Sequence, residues 1–172
     1  YYRETLNSAQ LQFLADMPQC YAPFNVIVLG DIDPGRVTPR HREVLERYVR
    51  GGGTLAVLTG EHADRLAGTW VAELAGVSIG AKRTYNEAEV AARGFSRAYE
   101  SGAQPARQGE LATLTPVEEH VARLGDDPVL AVRRPLGNGQ VVTLALDAAS
   151  GLLTENAGYH ALWRQVNTRS NE

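Results

Sequence analysis

The stretch YVRGGGTLAVLTGEHADRL, residues 48–66, decides the fold of this chain. It runs from the end of a helix through three glycines into the apolar run TLAVLT at 54–59. Upstream, the run NVIVLG at 25–30 is rich in β-branched side chains, which indicates a strand buried on both faces. Turn residues from Asp31 to Gly35 end that strand. Because alternating strands and helices build parallel sheets with right-handed crossovers, we predict an α/β fold.

The helix between the two strands has start and stop signals. Thr38 is a good N-cap, and Pro39 occupies the first helical position, where its missing N–H is tolerated. The apolar stripe of this helix consists of Val44, Leu45, Tyr48 and Val49. Gly51 is expected to supply the left-handed residue that ends the helix. A second helix is predicted over residues 62–75, after the second strand.

The C-terminal part of the chain contains a predicted β-hairpin. Residues 129–147, VLAVRRPLGNGQVVTLALD, are two β-rich runs joined by Gly137-Asn138-Gly139, and Asn-Gly suits the positive φ angles of a tight turn. A final helix is expected at about 156–167. Three other segments have weaker patterns: short strands at 9–15 and 77–85, and a polar, weakly periodic region at 86–127.

Composition limits the possible functions. The 172 residues suit one domain, and a net charge of -3 gives no basic surface for nucleic acid. The single cysteine, Cys20, excludes an internal disulfide. No apolar run approaches the roughly 20 residues of a membrane span, so we expect no direct membrane insertion by this segment. Because the first residue is Tyr1 rather than Met, we expect a piece of a longer protein and leave its compartment open.

Neither glycine motif is predicted to bind phosphate. Phosphate loops place glycines after a strand and before a helix, whereas residues 51–53 follow a helix and precede a strand. The glycines at 137 and 139 lie in a hairpin with no following helix. The sequence also contains no HxxxH or HExxH pair. It therefore predicts neither a cofactor nor a metal site.

Carboxylates after the first strand allow a phosphatase interpretation. Asp31 and Asp33 have the spacing of the two catalytic aspartates in haloacid-dehalogenase-type phosphatases. That motif continues with Thr or Val where this chain has Gly35, and its partner lysine would have to be Lys82, the only lysine in the chain. The alternative interpretation is an ordinary turn at the end of a strand.

The residues after the second strand lie where many α/β enzymes hold their nucleophile. A nucleophile elbow needs Cys or Ser, but residues 58–61 are Leu-Thr-Gly-Glu, so no catalytic residue is predicted. Glu61 and His62 allow an acid/base pair, or alternatively form a solvated helix start. Any ligand is expected at the predicted strand ends, where Asp31, Thr59, Gly60, Glu61, His62 and Asp147 cluster.

Three segments carry a family resemblance. The most specific is FNVIVLGDIDPGRVTPRHREVLERYVRGGGTLAVLTG at 24–60; the others are LTPVEEHVARL at 114–124, and LGNGQVVTLALD at 136–147 with YHALWRQV at 159–166. They resemble the class I glutamine amidotransferase-like superfamily, in particular bacterial domains found beside von Willebrand factor A modules in larger membrane-associated proteins. The helix-glycine-strand pattern is similar to noncatalytic domains of intraflagellar transport and oligosaccharyltransferase subunits.

The resemblance implies a three-layer flavodoxin-like sandwich with a mostly parallel sheet and a C-terminal β-hairpin, formed by one amidotransferase-like domain over residues 1–172. Glutaminases of this superfamily place a cysteine after the strand that matches 54–59, and this chain has none there, so glutaminase activity is not expected. We therefore expect a noncatalytic domain that binds a protein partner, other domains of the same polypeptide or a small molecule, within a larger and membrane-anchored bacterial assembly. The alternative is a phosphatase- or esterase-like hydrolase that uses strand-end carboxylates and His62.

Overall fold

The fold combines one larger and one smaller β-sheet with helices. The computed structural model describes residues 14–86, 108–118, 122–124 and 129–146, together with Val166. The strands are β1 (Val26–Leu29), β2 (Thr54–Leu58), β3 (Val77–Asn86), β4 (Gln108–Pro116), β5 (Ala122–Leu124), β6 (Ala131–Leu136) and β7 (Gly139–Leu144). The helices are α1 (Pro39–Arg50), α2 (Ala63–Leu66) and α3 (Trp70–Ala75), with short 3-10 turns at Pro18–Tyr21, Pro34–Arg36 and Gly60–His62.

The larger sheet has the strand order β1-β2-β7-β6-β5. Strands β1, β2 and β7 are parallel, while β6 pairs antiparallel with both β7 and β5. In this sheet β6 therefore runs against the other four strands, and the predicted α/β class with a mostly parallel sheet is confirmed. The predicted C-terminal hairpin is also confirmed, because β6 and β7 pair from Ala131↔Leu144 to Leu136↔Gly139.

Both faces of this sheet are covered at its centre, because every residue of β2 is buried. The chain passes from β1 to β2 to β7 in one direction, so right-handed crossovers place α1 and α3 on the same face, which we call the helix face. There, Arg42 of α1 lies 5.3 Å from the ring centroid of Trp70 of α3. Elsewhere on the sheet, Gln140 Nε2 of β7 donates to the carbonyl of Val166 at 2.9 Å.

Helix α1 begins as the sequence predicts. The Thr38 hydroxyl accepts a hydrogen bond from the backbone N–H of His41 at 3.3 Å, and Pro39 is the first helical residue. The end differs by one residue from the prediction. Gly51 keeps a right-handed conformation with φ -76, and Gly52 has the positive φ of 118. The difference arises because the Gly51 N–H still bonds the carbonyl of Arg47, which extends the helical path by one residue.

The two glycine motifs contact each other, which the sequence did not predict. The Asn138 N–H donates to the carbonyl of Arg50 at 3.0 Å, and the Gln140 N–H donates to the carbonyl of Gly53 at 3.2 Å. The hairpin turn therefore satisfies carbonyls that the end of α1 and the following turn leave open. A Cβ at Gly139 would lie 2.2 Å from the carbonyl oxygens of Val49 and Gly53.

The predicted helix over 62–75 is wrong as a continuous element. The chain forms the 3-10 turn Gly60–His62, then α2, then α3. The break occurs at Gly68, whose φ of +66 lies in the left-handed region. The Thr69 hydroxyl donates to the carbonyl of Leu66 at 2.7 Å and closes the gap between the two helices.

The smaller sheet is an antiparallel ribbon of β3 and β4, paired from Val77↔Pro116 to Asn86↔Gln108. Strand β3 matches the predicted strand at 77–85, but β4 lies in the region where no strand was predicted. The Ala112 N–H donates to the carbonyl of Ala145 at 2.8 Å, which joins the ribbon to the end of β7. The ribbon also contacts α2 and the turn Gly60–His62, so it covers part of the strand ends.

Some predictions fall outside the described residues. The strand predicted at 9–15 does so apart from Leu14 and Ala15, which belong to no strand. Of the predicted final helix, the structure describes Val166, which is helical and buried. Asp147 also lies outside the described residues. Among the helices that are described, none is both long and apolar enough to cross a membrane.

Candidate functional site

Three charged or polar side chains meet where β1 and β2 end. Asp31 follows β1, His62 ends the 3-10 turn after β2, and Arg65 lies on α2. Asp31 Oδ1 is 2.7 Å from Arg65 Nη2 and 3.1 Å from His62 Nε2. Arg65 Nη2 also contacts His62 Nδ1. We call these three residues the strand-end cluster.

The contacts of His62 define the state of its imidazole. An arginine side chain can only donate hydrogen bonds, so His62 Nδ1 must accept from Arg65. The proton of the neutral ring then lies on Nε2, and Asp31 Oδ1 is 3.1 Å from that nitrogen. Both ring nitrogens therefore contact groups of the cluster, and Arg65 stands against the nitrogen that would have to take a proton from a substrate.

The cluster is open to water on its carboxylate side. The side chain of Asp31 is 65% exposed and that of Arg65 is 49% exposed, whereas His62 is 20% exposed. Both contacts of Asp31 use Oδ1, so Oδ2 has no hydrogen-bond partner among the described residues. A ligand that reaches this surface meets one carboxylate and one guanidinium side by side.

Two of the predicted ligand residues lie below this surface. Thr59 is 1% exposed, and its hydroxyl donates to the carbonyl of Leu144 at 2.8 Å. This bond ties the end of β2 to the end of β7, so the hydroxyl already has a structural partner. Gly60 is also buried, with a φ of 33. The structure thus brings Asp31 and His62 to the surface, and the side chain of Glu61 is outside the described part.

The structure does not bring together the residues that the phosphatase interpretation requires. Asp33 Oδ1 accepts from the N–H of Gly35 at 2.9 Å, which makes it a turn-stabilising residue. Lys82 lies 3.3 Å from Glu110 and 4.0 Å from Asp64. In the described ranges, no hydrogen bond or ion pair joins Asp33 or Lys82 to Asp31.

Cation coordination is also disfavoured at this site. Within the described residues, no group of three or more His, Cys, Asp or Glu side chains is placed to hold a metal ion. The strand-end cluster supplies two such groups, Asp31 and His62, and Arg65 contacts both of them. A positively charged guanidinium at that position repels a further cation.

Sequence reasoning missed Arg65 and a separate groove. The signal for Arg65 was its spacing, because residues three apart on a helix lie on one face and Arg65 follows His62 by three. The groove lies on the helix face between α1 and α3, with a volume of about 320 Å³. Its lining residues are Arg42, Glu46, Trp70, Glu73, Leu74 and Arg134.

Two other groups have pKa values that burial shifts. Burial lowers the pKa of Arg133, on β6. Burial also raises the pKa of Tyr21, and a hydrogen bond from its hydroxyl to the carbonyl of Ala15, 3.0 Å long, partly opposes that effect. Each shift has a structural cause, so neither by itself points to a catalytic group.

No protein-family model matches this chain, and no curated protein matches its sequence. Several solved structures have a similar fold. Cytoplasmic Protein STM1381 from Salmonella typhimurium LT2 is 18% identical, with a TM-score of 0.59 over 90% of this chain and 75% of that chain. Cytoplasmic Protein STM3548 from Salmonella typhimurium is 15% identical, with a TM-score of 0.62 over 91% of this chain and 76% of that chain.

A further similar structure is the mmIFT52 N-terminal domain. It is 14% identical to this chain, with a TM-score of 0.60 over 92% of this chain and 84% of that chain. At such low identities these likenesses concern the fold alone. They place the chain among α/β domains of comparable size and assign it no activity.

Proposed function

We propose that this chain is a noncatalytic α/β domain that binds a protein partner or a small ligand. One observation carries the proposal: the hydroxyl and the imidazole at the strand ends are bound to other groups of the protein. The Thr59 hydroxyl is buried against the carbonyl of Leu144, and both ring nitrogens of His62 contact Asp31 or Arg65. A general base or nucleophile must be free to reach a substrate, and these groups are not.

We further propose the finer fold and context that the family resemblance implies. The proposed fold is a three-layer flavodoxin-like sandwich of the amidotransferase-like kind. Its support is the complete burial of β2, together with the contacts of α1 with β2 and β7 and the bond from Gln140 of β7 to Val166. In this proposal the domain belongs to a larger bacterial assembly, where it contacts a separate protein or other domains of the same polypeptide.

The small-ligand form of the proposal places the ligand on the strand-end cluster, and a thermal-shift titration tests it. The unmodified chain and two variants are each titrated with a panel of metabolites and metal ions, and the melting temperature is recorded. A compound at about 100 times its Kd adds about 2.7 kcal/mol to the free energy of unfolding. For a chain of this size, that raises the melting temperature by about 5–10 °C. The variant Arg65→Ala should lose most of that shift. The matched control Arg40→Ala should keep it, because Arg40 is similarly exposed, at 53% against 49%, but lies on α1.

Each outcome of that titration supports or contradicts the small-ligand form of the proposal. A shift that Arg65→Ala abolishes supports a small ligand at the cluster. A full shift in Arg65→Ala contradicts that site. If no compound raises the melting temperature, the small-ligand form is rejected and the protein-partner form stands.

A hydrolase is the second candidate, because Asp31 and His62 lie 3.1 Å apart in the arrangement of an acid/base pair. A screen with p-nitrophenyl phosphate and p-nitrophenyl acetate tests it. We expect no turnover, because Arg65 occupies the nitrogen of His62 that would act as the base. Turnover that disappears in Asp31→Asn or His62→Ala would replace the noncatalytic proposal.

A further inference from the structure

Four of the six residues that line the groove on the helix face are charged. Arg42 and Glu46 are four residues apart on α1, which places them about 6 Å apart along the helix axis. Trp70, Glu73 and Leu74 line the other side from α3. Arg134 of β6 lies at the end of the groove where α3 finishes, because it donates to the carbonyls of Glu73 and Leu74.

Arg42 is held in place before any ligand binds. Its Nε donates to the carbonyl of Val37 at 3.2 Å, and its guanidinium lies over the ring of Trp70. The ring is fixed in turn, because Trp70 Nε1 donates to the carbonyl of Pro34 at 3.1 Å. In the described part of the chain the two terminal nitrogens of Arg42 have no hydrogen-bond partner. A fixed guanidinium with free donors loses little entropy when it binds a carboxylate.

The other end of the groove presents an uncompensated carboxylate. Glu46 is paired with Arg50 at 2.8 Å, and Arg134 is paired with Glu118 at 2.6 Å. The carboxylate of Glu73, by contrast, has no ion pair or hydrogen bond to any described residue. The charges that remain available to a ligand are therefore the cation of Arg42 and the anion of Glu73.

We propose that this groove is the docking site for an extended segment of a partner protein that carries an acidic and a basic side chain two residues apart. The acidic side chain pairs with Arg42 and the basic one with Glu73. Residues i and i+2 of an extended chain are about 6.6 Å apart on one face, which matches one helical turn of the groove. Their aliphatic stems cover Trp70 and Leu74. This inference rests on the proposed function and specifies its protein-partner form.

The openness of the groove favours a protein over a free small molecule. Small-ligand sites bury about 70–90% of their ligand, whereas this groove is open to solvent between two helices. A protein segment brings additional surface that closes over the groove. Arginine and tryptophan are also the residue types that contribute most at protein interfaces, and Arg42 and Trp70 stand together here.

Blocked peptides provide the test. The probe is N-acetyl-Gly-Glu-Ser-Lys-Gly-amide, and the control replaces its Glu and Lys with Gln, so that both charges disappear. Binding is followed by NMR through the indole N–H signal of Trp70, up to about 10 mM peptide because a single short segment binds weakly. We expect the charged peptide to shift this signal saturably, and the neutral peptide to bind at least about fivefold more weakly, as for two exposed ion pairs.

A charge swap separates docking from non-specific attraction. The variants Arg42→Gln and Glu73→Gln should each weaken binding severalfold. The double variant Arg42→Glu with Glu73→Arg should lose the original peptide and bind the reversed peptide with Lys before Glu. The spectrum of the backbone amides shows whether each variant is folded. If the double variant is not folded, the loss of binding in Arg42→Gln provides the test. Equal binding of charged and neutral peptides, or no shift of the Trp70 signal, would overturn the inference.

Failure of this inference is distinguishable from failure of the proposed function. The variant Asp31→Asn changes the strand-end cluster and leaves every residue of the groove in place, so it should bind the peptide like the unmodified chain. Turnover at the strand ends would refute the noncatalytic proposal without affecting the peptide titration. If the peptide does not bind and no turnover is seen, the groove is not the docking site, but the noncatalytic proposal still stands.

Discussion

Replacing Gly139 with alanine is expected to lower the free energy of unfolding by about 3 kcal/mol or more. The new Cβ would lie 2.2 Å from the carbonyl oxygens of both Val49 and Gly53. These are backbone atoms at the end of α1 and in the following turn, so no flexible side chain can move aside. Relief of the clash would require the hairpin turn to leave α1, which also breaks the bond from the Asn138 N–H to the carbonyl of Arg50.

Chemical denaturation followed by circular dichroism measures this effect, and Gly30→Ala is the matched control. A Cβ at Gly30 would meet one atom, Leu58 Cδ1, at the ordinary distance of 4.0 Å. We expect Gly30→Ala to change the free energy of unfolding by less than about 1 kcal/mol. Similar midpoints for the two variants would show that the hairpin does not dock on α1 as described.

The second large effect is expected at Gly53, which lies against an aromatic ring. A Cβ there would be 2.1 Å from Cζ of Tyr48 and 2.4 Å from Cε1 and Cε2. The ring cannot easily move, because its hydroxyl shares its single proton between the carbonyl oxygens of Phe24 at 3.1 Å and Thr54 at 3.4 Å. Gly53→Ala should therefore cost about 2–3 kcal/mol.

A double-mutant cycle tests the cause of this cost. Tyr48→Ala alone should cost about 3–5 kcal/mol, since Tyr48 is buried in the core. In that background Gly53→Ala should cost little, because the three atoms nearest to the new Cβ all belong to Tyr48. The double variant should then be more stable than the sum of the single effects by about 2 kcal/mol. Additive costs would assign the strain at Gly53 to another neighbour.

Local signals explain which elements the sequence predicted correctly. The strands β1 and β2 are short continuous apolar runs, and α1 has its own cap at Thr38 and a proline at its first position, so each could be identified from neighbouring residues. The break at Gly68 could not, because a glycine inside a helical pattern is often tolerated and its φ of +66 depends on how α3 packs.

Long-range contacts were beyond local reasoning. The hairpin turn docks on the turn after α1, and these segments are far apart in the chain. The strand β4 was missed because its adjacent residues Leu111 and Ala112 are both buried, which breaks a simple alternation of buried and exposed residues. Tertiary pairing, rather than propensity, fixes both features.

The candidate site, too, was predictable from the sequence only in part. That Asp31 and His62 would lie together follows from the geometry of parallel strands, whose carboxyl ends share one edge. Gly60 is buried in the turn that β4 contacts, and that contact could not be foreseen without β4. Arg65 completes the cluster because α2 begins directly after the 3-10 turn, which was predicted as part of one longer helix.

The central claim is that the reactive groups at the strand ends are bound to other groups of the protein, and the tautomer of His62 tests it most directly. The ¹⁵N signals of its imidazole are recorded at about pH 8, where an ordinary imidazole is neutral, and assigned with His62→Gln. We predict one fixed tautomer, with the proton on Nε2 and an unprotonated Nδ1 that changes its shift in Arg65→Ala. Averaged signals from two tautomers, unchanged in Arg65→Ala, would contradict the account.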